Sequence, residues 1–344
     1  MNRRPPIYPV FIPNSGCPFQ CIYCDQRQVT GISRHLHGVE QAVRQVESFA
    51  NHARNEATSG EIAFYGGTFT GLARRQQDQL LKLAQRYVDQ GLFSGIRFST
   101  RPDHIDANTL QHLAGYAVSA VELGIQSLSD TVLRSSQRGY DRQQALDAME
   151  LLGESPYKLG VQLMLGLPSD TPERFLASVQ STITARPEFV RIYPTLVFPG
   201  TELASWVTEG RYLPLNLKEA VGWCVPAYDA CVQAGITVAR LGLLLPSKLA
   251  FDSATVAGPW HPAYGQLVRS AWWRERIDAS LRQWPNRVAG CVVVIRVGQR
   301  YSGDALGWKR QNIDHWRQKW NLKDVCVQRC PEEESMGFDL VVNG

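Results

Sequence analysis

Six short apolar segments, each followed by a stretch of helical character, set the tightest limit on what this chain can fold into. Tyr8–Ile12, Ile62–Tyr65, Ile96–Ser99, Val118–Leu123, Leu159–Leu163 and Phe189–Tyr193 read as strands, several of them bounded by Gly or Pro. Helical patterns fall at Val39–Asn55, Arg74–Gln90, Asn108–Ala114, Arg142–Leu152 and Pro172–Ala185. Asp106–Asn108 supplies a start signal for the third of these. Strand–helix alternation of this kind implies a parallel sheet with right-handed crossovers. Six units rather than eight predict an α/β architecture of the open kind, a partial (β/α)6 TIM-like barrel. A helix at Lys218–Ala234 and a strand at Ile236–Leu241 close this part.

After Leu245 the texture changes. Residues 246–265 are rich in Pro, Gly and Ser and read as a long loop or linker. A second unit follows: helix Ala263–Gln283, strand Cys291–Val297, helix Asp304–Trp320, and strands near Val325–Gln328 and Phe338–Val342. The expected division is therefore a barrel over 1–245 and a small α+β domain over 246–344. The 344 residues, 44% hydrophobic and 20% charged, suffice for a sizeable core without disulfides. No apolar run approaches the ~20 residues of a membrane helix. Met1–Pro6 carries two arginines and two prolines with no apolar segment after it. A cytoplasmic protein with no membrane partner is expected.

Pro13–Gln26 reads PNSGCPFQCIYCDQ, placing Cys17, Cys21 and Cys24 as CxxxCxxC directly after the first strand. In a cytosolic chain a tight cysteine group reads as a metal site before a disulfide. Loops at the carboxyl ends of barrel strands carry active sites. Thiolates commonly ligate iron–sulfur clusters, four per cluster. Three here would leave one iron of a 4Fe–4S cluster without a protein ligand, the open position a catalytic metal needs. The alternative is zinc, with His35 or His37 as fourth ligand in a small closed loop.

The cysteine motif, with Tyr23 just before its last member, resembles the signature of the radical S-adenosylmethionine superfamily. Further segments agree in order and spacing: FYGGTFTGL at Phe64–Leu72, STRPD at Ser99–Asp103, ELGIQS at Glu122–Ser127 and QLMLGLP at Gln162–Pro168. The combination is most similar to the radical domain of the Elongator catalytic-subunit family. Arg191–Tyr212 resembles that family especially. Oxygen-independent coproporphyrinogen oxidase-like proteins share LGIQS and GLP more loosely. The resemblance covers about Pro9 to Leu241. Thr68 stands where many superfamily members carry Glu, and the acetyltransferase domain of Elongator-type proteins is not expected within these 344 residues.

The resemblance implies the radical-enzyme form of the partial barrel, with a 4Fe–4S cluster on Cys17, Cys21 and Cys24. It implies S-adenosylmethionine chelating the open iron, reductive cleavage to methionine and a 5′-deoxyadenosyl radical, and a reducing protein such as ferredoxin or flavodoxin. Cofactor contacts are expected from Gly66, Gly67 and Thr68 to the ammonium group, and from Thr100 and Arg101. Gln126, Ser127 and Gln162 would meet the ribose and carboxylate. Tyr23 would lie against the adenine or shield the cluster. Each has a plainer reading beside it: a strand-to-helix turn for Gly66–Gly67, a salt-bridge partner for Arg101, backbone satisfaction for Gln162, a core aromatic for Tyr23.

Two substrate classes stay open. Net charge is +4, but the segment from Arg296 to Cys330 holds eight lysines and arginines against three aspartates. Leu306, Ile313, Trp316 and Trp320 fall near helical spacing as a buried stripe, with Lys309, Arg310, Arg317 and Lys319 on the remaining surface. Such a face either contacts phosphates, holding tRNA for base modification, or is merely solvated. The other class is a small metabolite such as a tetrapyrrole. Cys326 and Cys330 are too few for a second metal and are expected to pack in the core.

Overall fold

The computed structural model describes residues 6–26, 39–54, 59–243, 257–284, 288–331 and 336–343. Its strands and principal helices are β1 (Ile7–Phe11), α1 (Val39–Ala53), β2 (Gly60–Tyr65), α2 (Arg74–Asp89), β3 (Phe93–Thr100), α3 (Ala107–Leu113), β4 (Val118–Gln126), α4 (Asp130–Ser135) and α5 (Arg142–Gly153). Then come β5 (Lys158–Leu165), α6 (Pro172–Thr184), β6 (Phe189–Pro194), α7 (Glu202–Thr208), α8 (Leu217–Gln233) and β7 (Thr237–Leu241). The remainder is α9 (Tyr264–Leu281), β8 (Val292–Gly298), α10 (Ser302–Leu306), α11 (Gln311–Lys319), β9 (Asp324–Cys330) and β10 (Phe338–Asn343). The chain divides into two compact units, Met1–Asn216 with Cys231–Trp260, and Leu217–Ala230 with His261–Gly344.

In the first unit, seven strands form one sheet in the order β1-β2-β3-β4-β5-β6-β7, every neighbouring pair parallel. This is the expected open barrel. Strands sandwiched between helices and a lumen need apolar residues on consecutive positions. In β4, Ala120, Val121, Leu123 and Ile125 are all fully buried. Between β2, β3 and the turn after β2, Phe64, Phe69 and Phe98 stack with centroids 5.1 and 4.6 Å apart. Local signals start the helices. The Asp106 side chain accepts from the Thr109 N–H, and Asp141 with Gln144 makes a reciprocal capping box. Thr171 caps α6 ahead of Pro172 at its first turn. Among the described residues no helix is long and apolar enough to cross a membrane.

The second unit carries a three-stranded sheet in the order β10-β8-β9, antiparallel between β10 and β8 and parallel between β8 and β9. Trp272, Trp273 and Trp316 are its largest fully buried side chains. The single helix expected over Asp304–Trp320 is broken. α10 ends at Gly307 (φ 80°), and Lys309 and Arg310 both adopt left-handed backbone before α11 begins. Gly307 explains the break. It takes a conformation other residues avoid, and a Cβ there would come within 2.9 Å of the Asn312 side chain. Of the expected stripe, Ile313 and Trp316 are buried, while Leu306 and Trp320 are only half-buried. The expectation for Cys326 also fails: its side chain is exposed on β9.

Candidate active site

β1 runs directly into the cysteine loop, and the turn after β2 holds that loop in place. Three backbone bonds join them: Ile12 N–H to the Tyr65 carbonyl, Asn14 N–H to that of Gly66, and Thr68 N–H to that of Ser15, at 2.8, 2.7 and 2.9 Å. The glycines are where this contact is closest. A Cβ on Gly67 would strike the Ser15 carbonyl oxygen, and one on Gly16 the Thr68 carbonyl oxygen. Gly66 itself takes φ 89°. The Gly66–Gly67 pair is therefore required first by the packing of two loops. Gly16 and Gly71 belong to the same lock and were not singled out in the sequence.

Thr68 is buried in this lock, and its Oγ1 lies 3.2 Å from Cys17 Sγ. Cys21 is buried and Cys24 half-buried, in a cluster with Ile22, Tyr23, Val132, Leu167 and Leu203. Burial, reinforced by the neighbouring Cys21 and Cys17, pushes the Cys24 thiol up to about 12. Among the described residues no three His, Cys, Asp or Glu side chains converge closely enough to ligate one ion. His35 and His37, the candidate fourth zinc ligands, lie outside the described residues.

A buried arginine stands beside the cysteines. Arg138 donates from Nη1 to Cys21 Sγ at 3.0 Å and to the Tyr23 hydroxyl at 3.3 Å. Its Nε and Nη2 reach the Tyr140 hydroxyl, and Nη2 also reaches the Gly124 carbonyl at 2.6 Å. Burial raises the Tyr23 phenol well above its usual range, against the pull of Arg138. The sequence reading missed Arg138. It sits 117 positions from Cys21, in a loop after α4 with no motif to mark it.

The other expected residues divide by location. Thr100 is buried at the end of β3, its hydroxyl 2.5 Å from that of Thr70. Arg101 forks onto Asp103 at 2.9 and 2.8 Å, donates to the Arg138 carbonyl, and lies between the rings of Phe19 and Tyr140. Its salt-bridge reading is thus realised. Gln126 accepts from Gln162 Nε2 at 2.9 Å, so these two are brought together across β4 and β5. Ser127 is not. Gln126 takes left-handed backbone (φ 64°) at the strand end. The next hydroxyl then turns to α6, 3.4 Å from Ser178 Oγ. Left-handed backbone at a non-glycine costs about 1–3 kcal/mol and tends to mark functional sites.

Further down the same strands lies a polar network. Glu122 accepts from the Tyr65 hydroxyl at 2.5 Å and pairs with Arg191 at 3.0 Å, while Arg97 lies 3.7 Å away and also faces Glu61. At the end of β5, burial raises Asp170 to about 7 although it accepts from the Gly166 and Thr171 N–H groups.

Comparison with known proteins decides the family. The Radical SAM superfamily profile matches residues 11–181, and the Radical_SAM C-terminal domain profile matches residues 187–274. The chain belongs to the radical SAM superfamily. Among curated relatives of this radical SAM enzyme is the tRNA uridine(34) acetyltransferase of Dehalococcoides mccartyi (strain CBDB1). It is 35% identical over 287 residues, covering 74% of this chain and 62% of that protein. Human Elongator complex protein 3 is 28% identical over 184 residues, 47% of this chain and 34% of its own. The enzyme thus spans less than two thirds of the length of these relatives. Among solved structures, archaeal Elp3 from Methanocaldococcus infernus aligns at TM-score 0.58 and 20% identity, covering 87% of this chain and 68% of that one. Coproporphyrinogen III oxidase (HemN) from Escherichia coli aligns at 0.50 and 20%, over 67% and 54%. At such identities these two likenesses speak to the fold alone.

Proposed function

We propose that this enzyme holds a 4Fe–4S cluster on Cys17, Cys21 and Cys24, binds S-adenosylmethionine at the adjoining strand ends, and modifies a base of tRNA. The observation that carries the reading is the glycine lock, which fixes a three-thiol loop at the carboxyl end of β1, where β/α barrels do their chemistry. The three cysteines would ligate such a cluster as thiolates and would leave a coordination position open for the cofactor. When bound and reduced, the cluster supplies the electron that cleaves S-adenosylmethionine to methionine and a 5′-deoxyadenosyl radical.

The chain's own residues bind and orient. Thr68 steadies Cys17, and the half-exposed Gly66–Gly67 turn offers backbone carbonyls to an ammonium group. Thr100 and the Asp103-held Arg101 form the next strand end. The joined Gln126 and Gln162 amides suit ribose hydroxyls, with Ser127 anchoring the strand end to α6. Tyr23 packs behind Cys21 and Cys24 and keeps water from that side. A ferredoxin- or flavodoxin-like protein would supply the electron.

RNA is favoured as substrate by the tRNA enzymes among the relatives and by the exposed Lys309, Arg310 and Arg317 of the second unit. Lys319 is already tied to Asp278 at 2.6 Å and contributes less. Anaerobic reconstitution, reduction and incubation with S-adenosylmethionine tests the reading. The expected product is 5′-deoxyadenosine, lost in Cys21→Ala, with tRNA binding that weakens steeply with salt. A well-loaded protein that makes no 5′-deoxyadenosine overturns the chemistry, and no tRNA affinity at low salt overturns the substrate.

A further inference from the structure

Among the described residues, Arg138 is a buried cation with no carboxylate partner. It is 6% exposed, and among the described residues its partners are the hydroxyls of Tyr23 and Tyr140, the Gly124 carbonyl and Cys21 Sγ. None is a carboxylate. A buried charge with only neutral partners is costly, and native structures rarely tolerate one. Of these four groups, the one that turns anionic when it ligates iron is the Cys21 thiol.

The guanidinium is also held where it is. Tyr140 spans Arg138 and the Gly124 and Ile125 carbonyls at the end of β4, at 2.8–3.0 Å. The Arg138 backbone is pinned in turn by Arg101, whose fork is fixed on Asp103. The arginine therefore comes preorganised against one cysteine of the three.

Resting on the proposed cluster, we infer that Arg138 is a positioning residue that orients Cys21 and makes the cluster easier to reduce. Each added electron raises the negative charge on the cluster and its thiolates. A fixed guanidinium hydrogen-bonded to one sulfur favours the more negative state, and hydrogen bonds to sulfur are among the established levers on cluster potential. Replacing the cation by a neutral side chain should lower the reduced-to-oxidised ratio at a fixed potential about tenfold, about 59 mV for one electron.

The test uses the full chain, reconstituted anaerobically and titrated without S-adenosylmethionine, with EPR of the reduced cluster as the readout. Arg138→Met and Arg138→Gln should bind iron and sulfide but show the more negative midpoint. Arg138→Lys, which keeps the charge, should recover most of the shift. As a measurement that needs no variant to fold, wild-type protein labelled with ¹⁵N-arginine should show a weak nitrogen coupling to the reduced cluster in pulsed EPR. Neutral variants that load fully and keep the wild-type midpoint overturn the inference alone, and so does a missing arginine coupling. A wild-type chain that takes up no iron and sulfide overturns the proposed function and this inference with it.

Discussion

Gly71 presses its α-carbon so closely against the Gly16 carbonyl that a methyl group on it would collide with the oxygen. The obstacle is backbone on both sides, since a Cβ on Gly16 would meet Thr68 and Gly71 main-chain atoms. Neither loop can give way by rotating a side chain.

Gly71→Ala should therefore shift the cysteine loop as well as destabilise the fold. A loss of about 1–3 kcal/mol is expected from the overpacking. Iron loading should fall more than stability does, because the backbone that moves carries Cys17. Thermal unfolding of the apo chain and iron content after reconstitution measure the two effects separately.

Phe69 stacks between Phe64 and Phe98 and is fully buried. Phe69→Ala should cost about 3–5 kcal/mol by denaturant unfolding, with Phe69→Leu costing much less. Equal losses would mean that ring stacking, and not volume, dominates there.

Glu122 holds Arg191 and faces Arg97, both largely buried. Glu122→Ala leaves Arg191 without its carboxylate, while Arg97 keeps Glu61, and should cost about 3–5 kcal/mol. Glu122→Gln keeps an acceptor for Tyr65 and should cost less. Urea titration of both variants checks the order.

Asp170 gives a pH signature. Burial raises its folded-state pKa from 3.8 to about 7, so the folded form keeps a proton that the unfolded chain has already lost. Stability should then fall as pH rises from about 4 to about 7, the reverse of a salt-bridged carboxylate. Asp170→Asn should flatten that part of the profile, read from unfolding midpoints across the range.

Lys309 and Arg310 sit exposed on consecutive left-handed residues. If they contact RNA phosphates, the double Ala variant should lower the slope of log K against log salt by roughly 1.4–1.8, at about 0.7–0.9 per contact. Lys319→Ala should change it less, because Asp278 already neutralises that ammonium. Filter binding to total tRNA at several salt concentrations reads both.

The parallel sheet was legible in the sequence because strands buried on both faces carry apolar residues at neighbouring positions, as Ala120 and Val121 do in β4. Cys17, Cys21 and Cys24 were legible because their spacing is short. What escaped depends on the third dimension. Arg138 reaches Cys21 from a loop that no periodicity connects to it. The Ser127 hydroxyl lies 3.4 Å from Ser178 Oγ beside the left-handed turn at Gln126, and Gln carries no glycine-like warning of that turn. The break after Leu306 hid because the apolar stripe keeps helical spacing on both sides of Gly307, the one residue that signalled it.

β1 lies at the end of the sheet, with β2 on one flank and, on the other, a hydrogen bond from the Phe11 N–H to Gln45 of α1. Among the described residues, the strand that delivers the three cysteines is thus paired with one neighbouring strand, β2. Filling the metal centre should slow amide exchange in β1 and its loop far more than in the central β4, so cofactor loading would finish a wall that the polypeptide leaves half-built.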